Sequence, residues 1–383
     1  MPKLLIFEVD HNGHRFHYAS LLANEAVARG YDTTLATTRV ASQSEEFNCF
    51  FSDIASSIQV DNWIEGQITS GLQGFRQQLA MLRESIQRAK PDLIFVPYAD
   101  GLAQVMSVAA KLGLARLPDI PMRGLLFRCS AAYCDNQTSA WTRWKRTRSA
   151  MAAIGYPWEK LFHLDEFAIE WYKGCGFSLA PMPEPFDTQS DIDPTLVRVR
   201  NDLPIDARII GLFGHLEMRK GIDLLIRAFY DAGIENSILL LAGNTNAQVK
   251  ALLCSVEAQQ LKDRGALLVL DQWLGQQMMM ELISAVDTVC TPYPSHVGSA
   301  SIVLRAAACG KSIIGADVGW IGHTIRKYNL GVTVNVGNDK EFTEVIRSTL
   351  SGAAEHKITS ETVERIRNLT SSTNFRLRWF DPV

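Results

Sequence analysis

The sequence has few of the features that mark secreted, membrane-spanning or nucleic-acid-binding proteins. Its 7 cysteines form no CxxC pair, and an odd count without a disulfide framework is typical of buried thiols in a reducing cytosol. No apolar run approaches the roughly 18 residues that a membrane span needs. The start, MPKLLIFEVD, is expected to be a strand and not a signal peptide. The formal net charge is only -3, which argues against nucleic acid as a partner. We therefore expect a cytoplasmic globular protein.

Short apolar strands alternate with amphipathic helices along the chain. KLLIFEV predicts a strand, ASLLANEAVARG a helix and YDTTLATT a second strand, which together make a β-α-β unit. The alternation resumes after PMPEPFDTQSDIDP, whose prolines and aspartates suit a linker. At 383 residues the chain is too long for one ordinary core. The predicted fold class is therefore α/β, with two Rossmann-like domains whose parallel sheets face each other across a cleft.

The predicted domain bounds follow from this linker. Residues 1–187 form an N-terminal domain and residues 188–360 a C-terminal domain. For residues 361–383 we consider a helix that crosses back to the first domain. Sheets of this kind bind ligands at the carboxyl ends of their strands, so the cleft is the expected site.

The segment GHLEMRKGIDLLIRAF, residues 214–229, combines a glycine-ended strand, a basic loop and an amphipathic helix. Arg219 and Lys220 are expected in the first turn of that helix, where cations are unfavourable because the helix dipole is positive there. A bound diphosphate would explain both residues. The alternative is a solvated loop with exposed basic side chains.

The segment YPSHVGSASIVLRAAACG, residues 293–310, follows a predicted strand of the second domain. Gly298, Ser299, Ala300 and Ser301 precede or begin a helix whose N–H groups could hold phosphate oxygens. The alternative is that Ser299 or Ser301 is an ordinary N-cap.

The order of these motifs resembles the retaining, nucleotide-sugar-dependent glycosyltransferases of the GT-B fold, glycosyltransferase family 4 in particular. The resemblance extends to about residue 350. It is carried by Gly214-His215-Leu216 with Lys220-Gly221, Asp287, Pro294-Ser295, Gly298, the run from Arg305 to Gly310, the linker from Pro181 to Asp187, and the Gly13-His14 loop.

The chain departs from the resembled family where that family grips the sugar. Its glutamate pair falls here on Val297 (or Gly298) and on Arg305, and its phosphate-binding arginine falls on His215. Phosphate-binding features therefore remain, whereas sugar-binding ones are missing. This pattern leaves open a non-catalytic, nucleotide- or glycan-binding partner of an active transferase. A third alternative is a related GT-B enzyme such as a sugar-nucleotide epimerase.

The resemblance implies a donor site for a UDP- or GDP-linked sugar, mainly in the C-terminal domain. Lys220, helped by Arg219, would stabilise charge on the leaving diphosphate. We expect no metal and no further cofactor, because cations and N–H groups do this work and no Asp-x-Asp signature is present. The predicted donor-binding residues are Gly13, His215, Arg219, Lys220, Asp271, Gln272, Trp273, Gly298, Ser299, Ala300, Ser301 and Arg305.

The N-terminal domain would then be the acceptor side. If the reaction inverts, it needs a general base, and Asp10, His14 and His17 in the first loop are the candidates. Each could instead be a loop residue that hydrogen-bonds the backbone. Asp100 and Arg128 follow two further strands and are predicted on the acceptor side.

The segment SAWTRWKRTRSAM interleaves tryptophan with positive charge between Trp141 and Arg148. This composition suits an anionic membrane surface or a polyanionic acceptor. The alternative is a solvated helix face with buried tryptophans.

These observations predict a hexosyltransferase of polysaccharide biosynthesis. It would move a hexosyl unit from a nucleotide sugar to a glycan or a lipid-linked acceptor. The predicted localisation is cytoplasmic, with peripheral contact to the inner membrane as the alternative. Retention of anomeric configuration is implied by the resemblance alone.

Overall fold

The computed structural model describes residues 1–11, 14–66, 68–69, 71–111, 117, 119–134, 138–154, 158–188, 192–354 and 356–381. They form two compact units. The first unit contains Met1–Pro185 together with Ser372–Val383, and the second contains Phe186–Ser371. The division therefore lies two residues before the predicted bound at residue 187, and the second unit extends past the predicted bound at residue 360.

The first unit is built on seven parallel strands, which lie in the order β3-β2-β1-β4-β5-β6-β7. The strands are β1 Lys3–Phe7, β2 Asp32–Thr38, β3 Gln59–Ile64, β4 Leu93–Val96, β5 Met122–Leu126, β6 Lys160–His163 and β7 Ala180–Pro181. The helices are α1 Arg15–Ala28, α2 Arg39–Ser42, α3 Glu45–Phe51, α4 Gly71–Ala89, α5 Asp100–Lys111, α6 Ala140–Ala152, α7 Glu166–Gly174 and the C-terminal α17 Ser372–Phe380.

Both faces of this sheet are buried, because successive side chains of a strand point to opposite sides. Leu4 and Ile6 of β1 pack in one core with α1 and with Phe375 and Trp379 of α17. Leu5 and Phe7 pack in the other core, with α4 and α5. Helices on both faces explain why β1 reads as a continuous apolar run.

The second unit is built on six parallel strands in the order β10-β9-β8-β11-β12-β13. The strands are β8 Arg208–Phe213, β9 Ser237–Ala242, β10 Leu267–Leu270, β11 Thr288–Thr291, β12 Ser312–Ala316 and β13 Gly331–Val334. The helices are α8 Pro194–Arg200, α9 Ile222–Ala232, α10 Ala247–Leu252, α11 Val256–Asp263, α12 Gln276–Ala285, α13 Ser301–Ala308, α14 Gly319–Tyr328, α15 Asp339–Ser351 and α16 Ser360–Thr370.

The strand order of the second unit reverses between β8 and β11, which are neighbours in the sheet. Loops on either side of such a reversal diverge and leave a crevice at the carboxyl ends of the strands. Two parallel-sheet α/β domains confirm the predicted fold class. The strands β3, β6, β7 and β13 had no predicted counterpart. Polar residues interrupt the apolar pattern of β3, whose sequence is QVDNWI.

Among the residues that the structure describes, no helix combines the length and the apolar character that crossing a bilayer requires.

Candidate functional site

Three glycines bring loops at the carboxyl edge of the second sheet into close contact. At Gly221, where φ is +68°, a Cβ atom would lie 2.3 Å from the carbonyl oxygen of Pro292. At Gly243 a Cβ atom would lie 2.2 Å from the carbonyl oxygen of Gly214. No side chain fits in either place, and both Gly221 and Gly214 have the positive φ that favours glycine. The loops that follow β8, β9 and β11 therefore form one packed surface.

Lys220 is the buried cation of this surface. Its side chain is 6% exposed, and its Nζ atom donates a hydrogen bond of 2.7 Å to the carbonyl oxygen of Phe213. The same Nζ atom lies 5.7 Å from the centre of the Tyr293 ring. Burial lowers the pKa of Lys220 to about 7, with the charge of Arg219 acting in the same direction and that of Glu217 opposing it. A bound anion favours the protonated form, so the amine of Lys220 takes up a proton when an anion binds.

The backbone around Lys220 differs from the prediction. Met218–Lys220 form a short 3-10 turn, Gly221 is left-handed, and α9 begins only at Ile222. Arg219 and Lys220 therefore precede the helix instead of lying in its first turn. The left-handed glycine turns the lysine back towards β8, and this is why the side chain is buried and not solvated as the alternative interpretation required.

The carboxylate of Glu217, which the sequence did not lead us to single out, contacts the two other candidate cations, Arg219 and His215. Glu217 Oε2 accepts a hydrogen bond of 2.6 Å from Arg219 Nε, and Glu217 Oε1 lies 3.5 Å from His215 Nε2. The side chains of His215 and Arg219 are each 55% exposed. An incoming diphosphate would therefore compete with Glu217 for both. The sequence contains a signal for this contact, because Glu217 is the one acidic residue of the GHLEMRKG loop.

The helix α13 begins without a side-chain cap. Its N-cap is Ala300, and no side chain of the described residues accepts a hydrogen bond at that position. The alternative in which Ser299 or Ser301 caps the helix is therefore wrong. The carbonyl oxygen of Ser299 instead lies 3.1 Å from Nε2 of His296. Gly298, Ala300 and the first turn of α13 thus present backbone groups, which can bind an oxyanion.

Arg305 lies inside the second unit. It is 5% exposed, its guanidinium carbon lies 4.5 Å from the centre of the Phe186 ring, and its Nη1 atom lies 3.7 Å from Met280 Sδ. Arg305 therefore points into the unit and not outward from the helix. Its described partners are an aromatic ring and a thioether, so the predicted donor role has no support from these contacts.

The three residues that follow β10 have different environments. Asp271 Oδ1 accepts a hydrogen bond of 2.8 Å from the N–H of Thr245, which lowers the pKa of Asp271, and its Oδ2 lies 3.3 Å from Lys250 Nζ. Gln272 donates to Met278 Sδ at 3.5 Å. Trp273 is 58% exposed. Asp271 therefore braces the loop after β9, whereas Trp273 offers a bare aromatic face at the carboxyl edge.

The carboxyl edge of the first sheet holds a buried acid that the sequence reasoning did not single out. Glu8 is 2% exposed and follows β1. Its Oε1 accepts from the N–H of Asp10 at 3.2 Å and lies 3.3 Å from Arg15 Nη1, while its Oε2 has no partner among the described residues. Burial raises the pKa of Glu8 to about 7, although Arg15 opposes the change. Arg15 also covers the ring of Tyr98, 3.7 Å from its centre.

Asp100 lies at the same edge, at the start of α5. It is partly exposed, but its carboxyl group is enclosed, which raises its pKa to about 6. The carboxylate accepts the N–H groups of Phe127 and Arg128 at 3.2 Å each. The Arg128 side chain is exposed. The strand ends that carry Asp100 and Arg128 are thus joined through hydrogen bonds.

The candidate bases of the first loop are separated by the start of α1. Asp10 Oδ2 lies 3.7 Å from Arg15 Nη1, and His14 is the N-cap of α1, with its ring stacked on Tyr18 at 6.2 Å. His17 lies inside α1, is 7% exposed and packs on Phe50. The prediction that His17 belongs to an open loop is therefore wrong. Gly13 lies outside the described residues.

The helix α6 exposes both of its tryptophans. Trp141 is 68% exposed and Trp144 is 51% exposed, and their rings stack with centres 5.0 Å apart. Arg148 extends over the Trp144 ring at 5.6 Å. The alternative with buried tryptophans is therefore wrong.

In the part of the chain that the structure describes, no three histidine, cysteine or carboxylate side chains come together in a way that could hold a metal ion.

Comparison with known proteins finds similarity to glycosyltransferases. Residues 196–366 match the family model for Glycosyl transferases group 1. A D-inositol 3-phosphate glycosyltransferase of Xylanimonas cellulosilytica is 26% identical over 158 residues, which are 41% of this chain and 37% of that relative. The chain thus matches little more than a third of that relative's length.

Solved structures resemble the chain over its whole length. The sucrose-phosphate synthase of Thermosynechococcus elongatus matches with a TM-score of 0.73 at 15% identity, covering 99% of this chain and 98% of that one. Anabaena HepE, in complex with UDP and glucose, matches with a TM-score of 0.68 at 14% identity, covering 100% and 99%. At these identities the likeness establishes the fold, which is that of the GT-B glycosyltransferases.

Proposed function

We propose that this protein transfers a hexosyl unit from a UDP- or GDP-linked sugar to a glycan or a lipid-linked acceptor. The observation that carries the proposal is Lys220, a buried cation held at the carboxyl end of β8 beside the loop that leads to α13. The match to Glycosyl transferases group 1 includes both segments. The complexes of HepE with UDP and with UDP-glucose support a nucleotide sugar as the donor. Assignment to glycosyltransferase family 4 stays a hypothesis.

The chemistry that these residues supply is stabilisation of a leaving diphosphate. When the glycosidic bond to the nucleotide breaks, negative charge grows on the diphosphate oxygens. A preorganised ammonium and uncapped helix N–H groups stabilise that charge without rearranging. Lys220 and the first turn of α13 provide both elements. Trp273 offers an exposed ring on which a nucleobase can stack.

The missing glutamates bear on how the donor sugar is bound. Without a carboxylate at Val297 or Arg305, the donor sugar needs other hydroxyl partners, and His296 at the turn before α13 is one polar group nearby in sequence. If the reaction inverts, Asp10 and His14 are the described candidates for the general base. Glu8, whose pKa lies near neutrality, contacts the Asp10 backbone and can tune its position.

Peripheral contact with an anionic membrane is the second part of the proposal. Four cations, Arg143, Lys145, Arg146 and Arg148, share α6 with the stacked, exposed pair Trp141 and Trp144. Tryptophan prefers the interfacial region of a bilayer, and lysine and arginine are attracted to anionic headgroups. This helix would hold a cytoplasmic enzyme at the inner membrane, where lipid-linked acceptors are found.

The experiment that tests the donor site is thermal unfolding with a panel of UDP, GDP, ADP and their sugars. A specific ligand at about 100 times its dissociation constant adds about 2.7 kcal/mol to the free energy of unfolding. We expect one nucleotide sugar to raise the melting temperature of the wild type but not of Lys220→Met. Lys262→Met is the matched control, because Lys262 also donates to a backbone carbonyl, that of Leu253, at 2.9 Å.

Transfer is then measured with the donor identified in this way. Hydrolysis or transfer that is lost in Lys220→Met supports the enzyme. Binding without turnover supports instead the non-catalytic nucleotide-binding partner. If no member of the panel stabilises the wild type, the transferase proposal is wrong.

A further inference from the structure

A second cavity lies at the opposite edge of the second sheet from the loops that carry Lys220 and α13. It has a volume of about 360 Å³ and opens at the amino ends of β8, β11 and β12. This volume suits a small ligand. The polar side chains of its wall are Arg208, Lys311, Lys357, Thr288, Ser312 and Thr349.

Two cations of this wall form no pair with its acid, Asp287, although the charge of Asp287 favours the protonated form of Lys311. The Arg208 guanidinium lies against Gly352, where a Cβ atom would be 2.8 Å from its Nη2 atom. Lys311 is partly buried, and burial lowers the pKa of its ammonium group. Among the residues that the structure describes, neither side chain makes a hydrogen bond or an ion pair. Arg208 is exposed, but Lys311 is partly buried, and a partly buried cation without a hydrogen-bonded partner is costly unless an anion completes the site.

The acid of the cavity wall is already engaged. Asp287 Oδ2 accepts a hydrogen bond of 3.0 Å from Arg198 Nη2 and another of 2.7 Å from the N–H of Ile209. Asp287 raises the pKa of Lys311 and Arg198 lowers it. The Asp287–Arg198 pair therefore offsets the charge of Lys311 only in part.

The carboxyl ends of two helices offset the positive charge of the cavity cations only in part. The carboxyl ends of α13 and α15 lie near this wall, at Gly310 and Leu350. Each helix end carries the equivalent of about half a negative charge. Two such ends offset about one of the two positive charges of Arg208 and Lys311, and Lys357 is not counted because it has a partner of its own. The wall keeps a positive balance.

We propose that this cavity binds a phosphorylated small molecule, with its phosphate between Arg208 and Lys311. Guanidinium and ammonium groups both form charge-assisted hydrogen bonds with phosphate oxygens. The hydroxyl groups of Thr288 and Ser312, whose oxygen atoms lie 3.0 Å apart, and that of Thr349 line the remainder of the wall for the polar body of the ligand. The site is separate from the proposed donor site and does not depend on the transferase activity.

The test is calorimetric titration of the intact protein with inorganic phosphate and with pyrophosphate. Four proteins are compared: the wild type, the double variant Arg208→Gln with Lys311→Gln, the donor-loop variant Lys220→Met, and the control Lys340→Gln, which removes an exposed cation from α15. We expect the double variant to bind at least about tenfold more weakly than the wild type. Lys340→Gln is expected to keep the wild-type affinity. Lys220→Met removes the cation of the donor loop and is expected to keep the binding that belongs to the cavity.

Three results would overturn the proposal: no binding to the wild type, equal affinity in the double variant, or loss of all binding in Lys220→Met, which would assign the phosphate to the donor loop. Because Arg208 and Lys311 have no described partner, their replacement is not expected to lower the melting temperature. Lys311→Met alone gives a second variant that keeps Arg208 against Gly352. If it too binds like the wild type, the cavity is not an anion site.

Discussion

The side-chain ammonium of Lys220 and the carbonyl oxygen of Phe213 are joined by a hydrogen bond of 2.7 Å, so the cation is fixed at the end of β8. A flexible lysine in solvent would have to be ordered whenever an anion bound. Here the left-handed Gly221 and the packed loops have already ordered it. The position of the charge is therefore a property of the folded second unit.

The affinity for a nucleotide sugar should depend on pH through Lys220. Its pKa in the free protein is about 7, and a bound diphosphate favours the protonated form, so binding takes up a proton above pH 7. We expect affinity to be highest below pH 7 and to fall by up to about tenfold per pH unit above it. Calorimetry between pH 6 and 9, in two buffers of different ionisation enthalpy, measures both the affinity and the proton uptake. A wild-type affinity that does not change with pH, or a Lys220→Met variant with the same pH dependence, would contradict this.

The stability of the protein should depend on pH through Glu8. Its pKa is raised from 4.5 to about 7, so the folded state prefers the protonated carboxyl group. The stability that this preference adds is fully present below pH 4.5 and is lost as pH rises through about 7. We expect Glu8→Gln to gain about 3 kcal/mol relative to the wild type between pH 4.5 and pH 8. Urea unfolding at the two pH values measures this difference.

The control for Glu8 is Glu65→Gln, which removes an exposed carboxylate that pairs with Arg39. Its difference from the wild type should be the same at both pH values. A Glu8→Gln variant that behaves in this way would show that folding does not shift the pKa of Glu8.

The contact between the loops after β8 and β11 should make Gly221 intolerant of a side chain. Gly221 and Gly265 have almost the same φ, +68° and +69°, but a Cβ atom at Gly265 meets nothing within 4 Å. Gly265→Ala should cost about 1 kcal/mol for its left-handed backbone. Gly221→Ala should cost about 1–3 kcal/mol more, because its Cβ atom would collide with the oxygen of Pro292. Thermal unfolding of the two variants measures the stability that each one loses. Equal losses of stability would mean that the two loops separate easily.

The exposed aromatic pair of α6 should anchor the protein to anionic bilayers. We expect the wild type to sediment with phosphatidylglycerol vesicles, but not with phosphatidylcholine vesicles, and to be released by salt. Replacing both Trp141 and Trp144 by alanine should remove most of this binding, and Arg143→Gln with Arg148→Gln should weaken it by about 1 kcal/mol per charge. Trp63→Ala is the control, since Trp63 is a partly exposed tryptophan outside α6. Vesicle binding that survives the double tryptophan replacement would exclude α6 as the anchor.

Much of the candidate site could be located from the sequence, but not its internal contacts. The loop from Gly214 to Gly221 and the start of α13 were both predicted at strand ends, because apolar strands and glycine stops are local signals. The pairing of Glu217 with Arg219 and His215 was missed, although Glu217 stands in the same loop. Arg305 was expected among the donor-binding residues. Its guanidinium lies over the ring of Phe186, which is distant in sequence.

The sequence by itself determined the alternation of strands and helices, the two-domain α/β class and the sequence positions at which binding loops follow strands. Apolar periodicity and glycine act over a few residues, and a single chain displays them directly. Only the tertiary structure decided that Lys220 is buried with a pKa near 7, that Glu8 is an enclosed acid, and that Arg208 and Lys311 share a cavity. Burial and charge pairing depend on which distant segments pack together, and the solvent that these segments exclude determines whether a side chain keeps its charge.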